Sequence, residues 1–245
     1  MIVRLLLAAL AAGLVAGLAM TPAQYVKVVP LILEAETYEV AEAPGHSHGA
    51  ETAPPAEDAT AHAHSHEHED GDGSMFGMGR LGDTLVANLV AGAGFALLLG
   101  GVALVLGIGF PKGREAVTRG LMLGAAGWFA VQLAPSFGLP PELPGFPFVD
   151  LATRQIWWLS AVVLSAAGLY LLVLRPEWVA KVAGVALIVA PHVYGAPQPE
   201  DISSAVPALL ASEFTSAALA TTLFFWLVLG GVMGYLFSRV EGDAV

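Results

Sequence analysis

Six stretches of this chain contain no Asp, Glu, Lys or Arg, and each is about as long as a helix that crosses a bilayer. About 20 apolar residues are needed for that crossing, because an α-helix rises only about 1.5 Å per residue. The six windows are residues 5–26, 84–111, 120–141, 155–174, 182–199 and 214–238. They predict an all-α, polytopic membrane helix bundle with six candidate spans.

The fifth window is the weakest of the six, because Pro191 follows only nine strongly apolar residues, 182–190. If residues 178–193 form the helix instead, Lys181 lies near a helix end, where its long side chain reaches the interface. Five spans are therefore the alternative to six.

The first window has two interpretations. Arg4 followed by the apolar run 5–20 is the pattern of a signal peptide. That run is long for a signal core, and Pro22 beside the expected cleavage site argues against processing. We therefore expect residues 1–26 to be a retained first transmembrane helix.

The composition excludes several classes of protein. Hydrophobic residues make up 56% of the 245 and charged residues only 13%, so a soluble fold could not cover its apolar surface. The absence of cysteine excludes disulfides and thiolate metal sites. Because no Walker loop, dinucleotide fingerprint, H-E-x-x-H or G-x-S-x-G motif occurs, we expect neither an enzyme nor a bound cofactor. The expected partner is the lipid bilayer, and no nucleic acid is expected.

Basic and acidic residues divide unequally between the two sides of a six-span arrangement. Seven of the ten Lys and Arg residues lie on one side, which predicts that this side and both termini are cytoplasmic. Most of the 21 Asp and Glu residues lie on the other side. The negative net charge is therefore mainly a property of the outer surface.

Six of the seven histidines lie in one acidic segment after the first window: His46, His48, His62, His64, His66 and His68. The low complexity of this segment predicts a disordered, extracytoplasmic His-rich loop over residues 27–83, before a helix bundle over 84–245. Imidazole binds zinc, copper, nickel and cobalt, and carboxylates complete a coordination shell. A chain that must curl around the ion binds it weakly, which suits capture and handover. Alternatively, this is a solvated acidic loop whose metal binding is incidental.

Two ionisable residues near the ends of windows are candidates for a metal path. His192 lies in P-H-V-Y-G-A-P-Q-P, where Pro191 and Gly195 interrupt an apolar helix. Irregular backbone at membrane depth lines a cavity or is buried in protein, although His192 at an interfacial loop is the other interpretation. Glu213 precedes the last window, either as a first-turn carboxylate that complements the helix dipole or as an acidic residue at the outer mouth.

Three amides and two proline-rich segments are also notable. Gln24, Asn88 and Gln132 lie inside or near the windows, and either hydrogen-bond between helices or face a path. The segments 135–147 and 191–199 face outwards, as stiff caps over a vestibule or as rigid connections only. Gly13 and Gly17 have the small-xxx-small spacing that allows helices to approach closely.

Several segments together resemble the CbtA family of predicted cobalt transporters. They are R-L-G-D-T-L-V-A-N-L-V-A-G, R-G-L-M-L-G-A-A-G-W, P-S-F-G-L-P-P-E-L-P-G, R-Q-I-W-W and P-H-V-Y-G-A-P. The resemblance covers nearly the whole chain and implies cobalt uptake across a bacterial or archaeal inner membrane, linked to cobalamin synthesis. It also implies a small single-span partner, CbtB. The family is usually described with five spans, so the segment 182–193 and the side of the C-terminus stay open.

Two classes of function follow. The first is a permease for divalent transition-metal cations, cobalt above all, whose histidine loop captures metal. The second is a non-transporting metal-binding accessory or sensor subunit. A nickel or zinc permease is a further alternative, because imidazoles bind zinc and nickel more tightly than cobalt.

Overall fold

The computed structural model describes residues 1–42, 78–147 and 149–242 of the chain. The helical elements in chain order are α1 (Ile2–Lys27), α2 (Val29–Glu42), α3 (Gly79–Val105), α4 (Arg114–Trp128), a π-helical segment (Phe129–Leu133), α5 (Ala134–Ser136), α6 (Leu151–Leu174), α7 (Trp178–Tyr194) and α8 (Ala208–Gly242). These ranges contain no strand, so the predicted all-α class is confirmed for them.

Four helices, α1, α3, α6 and α8, are long and apolar enough to cross a membrane, and the chain is a multi-pass membrane protein. The predicted count of six spans is not confirmed. The third window is divided among α4, the π segment and α5, which follow one another without a break. The fifth window forms α7, a shorter apolar helix of 17 residues that ends at Tyr194, directly before Gly195, which has a φ of +96°.

Glycines bring helices into backbone contact in three antiparallel pairs. A Cβ atom on any of these glycines would overlap the backbone of the neighbouring helix. The contacts are Gly13–Gly92 between α1 and α3, Gly120–Gly230 between α4 and α8, and Gly168–Gly184 between α6 and α7. Gly17 also packs on the α3 backbone, at Asn88, so the packing predicted for Gly13 and Gly17 is confirmed. Close packing of this kind holds helices together in lipid, where apolar surface alone gives no preference for another helix.

One face of helix α1 is buried in the bundle, whereas Leu7 and Leu18 on its other face are exposed. Ala9, Ala12 and Ala16 are fully buried, in one cluster with Leu229 and Met233 of α8. The first helix is therefore part of the main core, and its small side chains let α3 and α8 pack on it at short range.

The two ends of the bundle differ in charge. Ala9 near the start of α1 and Phe237 near the end of α8 both lie beside Gly100 near the end of α3. We call this end, where α1, α4 and α7 begin, the basic end. It carries Arg4, Lys112, Arg114, Arg119, Arg175, Lys181 and Arg239. The opposite end, where α3, α6 and α8 begin, is the acidic end, and within the described ranges it carries Glu34, Glu36, Asp83, Glu142, Asp150, Glu200, Asp201 and Glu213. For these residues the division of charge follows the prediction from the sequence.

Helix α2 lies across the acidic end, within the segment that the sequence predicted as a loop. Pro30 near its start fits the first helical turn, where a missing N–H costs no hydrogen bond. Its buried Ala35 packs in a second apolar cluster with Leu143, Leu210 and Phe214, and this contact explains why the segment is helical. Residues 43–77, which hold all six predicted capture histidines, lie outside the described residues.

Candidate functional site

A cavity of about 650 Å³ opens at the acidic end, between the π segment, α6 and the chain that connects them. Its walls come from Gln132, Pro135, Ser136, the connecting residues 139–146, and Arg154 and Trp158 of α6. The proline-rich segment 135–147, for which the sequence left open a vestibule cap or a rigid connection only, forms one wall of this cavity.

The proline-rich wall is anchored to α8 and to the segment before it. The Thr215 hydroxyl donates a shared hydrogen bond to the Pro141 carbonyl at 3.2 Å and to the Ala211 carbonyl of its own helix at 2.9 Å. The Ser204 hydroxyl donates to the Gly145 carbonyl at 2.9 Å, at a turn where Gly145 has a φ of +82°. Leu143 between these two points is buried in the second apolar cluster. The backbone on both sides of Glu142 is thus fixed by packing and by the prolines.

An ion pair joins the two charged residues of the cavity wall. One Nη atom of Arg154 lies 2.7 Å from a carboxylate oxygen of Glu142, and the two side chains are 27% and 30% exposed. The Glu36–Arg80 pair at the same end is longer, at 3.2 Å, and more exposed, at 39% and 42%. Less water reaches the Glu142–Arg154 pair, so its charges interact more strongly.

Arg154 is held at the start of α6 by a helix cap. Asp150 accepts hydrogen bonds from the Thr153 backbone N–H at 3.0 Å and from the Thr153 hydroxyl at 3.1 Å. The Thr153 backbone hydrogen bond is the main cause that lowers the pKa of Asp150 below its ordinary value. An ionised cap of this kind satisfies the free N–H groups of the first helical turn, the turn that carries Arg154.

The π segment forms the wall on the other side of the cavity. One turn of π-helix is rare, and such turns are frequent at functional sites. The segment is fixed on α8 by Trp128, whose indole N–H donates to the Thr222 hydroxyl at 3.2 Å. Gln132 lines the cavity, and its amide forms no hydrogen bond with the part of the chain that the structure describes.

His192 lies in the last turn of α7, against aromatic side chains. Its ring is edge-on to Trp157 at 5.7 Å and to Phe137 at 6.2 Å between centroids. The Trp157 indole N–H donates to the Pro191 carbonyl at 3.3 Å. The structure therefore places His192 in a half-buried aromatic contact between α6 and α7, and its role as a metal ligand stays a prediction.

Glu213 lies within α8 and is exposed. Because α8 begins at Ala208, directly after Pro207, the first turn of this helix contains no acidic residue. The interpretation of Glu213 as a first-turn carboxylate is therefore wrong, and its second interpretation, a residue at the outer mouth, stays a prediction. Within the described ranges, no three His, Asp or Glu side chains form a group that could hold a metal ion.

Two of the three amides noted in the sequence join α1 to α3. The Asn88 amide donates to the Gln24 side-chain oxygen at 2.8 Å and to the Thr21 hydroxyl at 3.2 Å. Interhelical hydrogen bonding is therefore confirmed for Gln24 and Asn88, whereas Gln132 faces the cavity.

Glu142 and Arg154 were not predicted from the sequence as site residues. Glu142 is the only charge in the motif L-P-P-E-L-P-G, between prolines that keep its backbone stiff. A single carboxylate in so rigid a segment is the sequence feature from which Glu142 could have been predicted as a site residue. Its pairing with Arg154, twelve residues later, depends on how α6 packs beside α5.

Comparisons with curated proteins and with solved structures gave no match. A family model described as "Probable cobalt transporter subunit (CbtA)" matches residues 2–238, which is nearly the whole chain. A family of transporter subunits points to a protein that is not an enzyme. On the strength of this match, and of a helical membrane bundle with a cavity at one end, the chain belongs to the CbtA family of cobalt transporter subunits.

Proposed function

We propose that this protein is the permease subunit of a transporter that carries divalent transition-metal cations, cobalt(II) above all, into the cytoplasm. The observation that carries the proposal is the family match over residues 2–238. The choice of cobalt comes from the family, because oxygen and imidazole ligands do not favour cobalt over nickel or zinc. The link to cobalamin synthesis is likewise a property we carry over from the family.

We propose six spans, in which α7 and the continuous helical run 114–136 join the four longer helices. The alternating direction of the helices supports this count, because each of these two elements starts at the basic end. The positive-inside rule then assigns the basic end and both termini to the cytoplasm. The membrane would be the cytoplasmic membrane of a bacterium or archaeon.

The acidic segment 27–83 would concentrate cations outside the membrane, and its six histidines would hold them loosely. The cavity at the acidic end lies on the side from which captured ions would arrive. Steering by the negative charge acts over about 8 Å at physiological salt.

The membrane potential is sufficient to drive this step. Two elementary charges moving inward at −100 mV gain about 4.6 kcal/mol. The family is described as a subunit, so we also propose a small single-span partner of the CbtB type in the assembled transporter.

His192 and Glu213 are proposed as residues of the path. His192→Phe keeps an aromatic ring between Trp157 and Phe137, and Glu213→Gln keeps the size of the side chain. We expect both variants to lower cobalt uptake without lowering the melting temperature. Unchanged uptake in both variants would remove these residues from the path.

A non-transporting accessory or sensor subunit is the second candidate function. The observation that favours it is the absence, within the described ranges, of three His, Asp or Glu side chains that converge on one point. A permease needs sites that bind weakly enough to release the ion, so a sparse ligand set fits transport as well.

Uptake of radiolabelled cobalt into proteoliposomes separates the two candidates. The purified chain is reconstituted alone and with its partner, and an inside-negative potential is applied. Uptake that saturates with cobalt supports the permease, and no uptake in either preparation contradicts it. Competition by unlabelled nickel and zinc then measures the metal preference.

The role of the histidine loop is tested in the same assay. Deletion of residues 46–68 should raise the cobalt concentration needed for half-maximal uptake while the maximal rate is kept. A matched control replaces the six histidines by Asn, which keeps the length and the acidic residues. If both variants take up cobalt like the unaltered chain, the loop has no role in capture.

A further inference from the structure

We propose that Glu142 is a ligand for a divalent cation in the acidic-end cavity, and that Arg154 is an internal competitor which the cation displaces. This inference deepens the proposed function, from which it takes the identity of the cation. It assigns the first contact between the transported ion and the helix bundle to a specific carboxylate.

The cavity contains one carboxylate among its described lining residues, and that carboxylate is paired with Arg154. The pair is about 30% exposed, so water still reaches both side chains but screens them less than at an open surface. A divalent cation carries twice the charge of a guanidinium in a smaller volume. It therefore competes effectively for the same oxygen atoms.

Two neutral side chains whose oxygen atoms could bind a metal ion line the same cavity. The Gln132 side-chain amide has no hydrogen-bond partner among the described residues. The Ser136 hydroxyl donates to the Leu133 carbonyl at 2.7 Å, which leaves lone pairs on its oxygen. One carboxylate, one amide oxygen, one hydroxyl and several retained waters make a weak oxygen site for a divalent ion. Weak binding is required of a site that must release its ion to the next one.

Arg154 can move more freely than Glu142. The backbone around Glu142 is fixed by prolines and by the burial of Leu143, so the carboxylate keeps its place. Arg154 has a long side chain with several rotatable bonds, and only its helix is fixed. When a cation arrives, the guanidinium moves away and the carboxylate stays. In the absence of a cation, Arg154 neutralises the carboxylate.

The test uses the sign of the effect of removing Arg154. The full-length chain with all six loop histidines changed to Asn is purified in lipid nanodiscs, and cobalt chloride is titrated by calorimetry at pH 7. In that background, Glu142→Gln should weaken cobalt binding about tenfold or more, because the charged ligand is gone. Arg154→Gln should tighten it about fivefold, because a competing partly exposed ion pair is removed.

Glu36→Gln and Arg80→Gln are the matched controls, since they break another ion pair at the same end. Both should bind cobalt like the background chain. Glu142→Asp and Arg154→Lys keep the charges and should stay close to the background as well. Melting temperatures of all variants identify any that fail to fold. If one of the two Gln variants fails to fold, the sign of the effect in the other one decides.

If Arg154→Gln and Glu142→Gln both weaken binding, the pair is only structural and the proposal is overturned. Unchanged binding in Glu142→Gln overturns it too. Measurements of cobalt uptake distinguish a failure of the proposed cavity site from a failure of the proposed permease function. A chain that takes up cobalt normally with Gln at 142 contradicts the cavity site alone, whereas binding with the expected signs but no uptake contradicts only the permease.

Discussion

Gly120 of α4 and Gly230 of α8 face each other so closely that a Cβ atom on either would overlap the carbonyl oxygen of the other. Gly124 and Gly234 extend this contact by one turn in each direction along the two helices. The position of the π segment, and with it one wall of the cavity, depends on how deeply α4 packs into α8.

Gly120→Val should destabilise the protein, because the new side chain meets backbone that cannot move aside. We expect a loss of about 1–3 kcal/mol or more in the free energy of unfolding. Gly94→Val is the matched control, since no atom lies within 4 Å of a Cβ at Gly94. Thermal unfolding in detergent measures both. Equal melting temperatures for the two variants would contradict the packing described for α4 and α8.

The hydrogen bond between Asn88 and Gln24 should couple α1 to α3. In a double-mutant cycle with Asn88→Ala and Gln24→Ala, we expect a coupling energy of about 0.5–1.5 kcal/mol, the range for such bonds in membranes. The Asn88 amide also donates to the Thr21 hydroxyl, so the Gln24→Ala variant keeps this second hydrogen bond between α1 and α3. Additive effects of the two substitutions would show that the 2.8 Å contact gives no stabilisation.

The Asp150 cap should stabilise the fold only while its carboxyl is ionised. Its folded-state pKa is lowered from 3.8, so the stabilisation is complete above that value and is lost as the pH falls through the folded-state pKa. Asp150→Ala should therefore lower the melting temperature at pH 7, and the difference from the unaltered chain should disappear in strong acid. Glu200→Ala, at an exposed residue of the same end, is the control and should show neither effect.

Metal capture by the loop histidines should fail in mild acid. Imidazole with an ordinary pKa of about 6.5 is protonated at pH 5, and protons then compete with the metal. We expect cobalt affinity of the full chain to fall roughly tenfold or more between pH 7 and pH 5. The chain with six His→Asn substitutions should lack this step. Unchanged affinity at pH 5 would exclude the histidines as the ligand set.

The general architecture was predictable because it depends on local properties of the chain. Charge-free windows require only composition and length. The positions of Arg114, Arg175 and Arg239 between these windows predict that the three residues lie at one end of the bundle, as they do. The α2 helix was not predicted, because its stability comes from contacts of Ala35 with residues far along the chain. A segment with four acidic residues resembles a loop until its packing partners are known.

The cavity was predictable only in part. The proline-rich motif that forms one wall can be recognised in the sequence. The ion pair between Glu142 of this wall and Arg154 requires α6 to pack beside α5. The π-helical turn could not be predicted from the sequence, since Phe129–Leu133 has the composition of an ordinary apolar helix. The helix boundary at Ala208, which moves Glu213 out of the first turn, depends on Pro207 rather than on the charge-free window.

The position of Ala9 and Phe237 beside the same glycine, Gly100, brings the first and last helices together at the basic end. The start of α1 and the end of α8 therefore lie close to each other in the bundle. A short linker from the end of α8 to the start of α1, with new termini opened at Gly113 between α3 and α4, would make a circular permutant with both ends on their original side. In that permutant the helix order along the chain is altered while every contact in the membrane is kept.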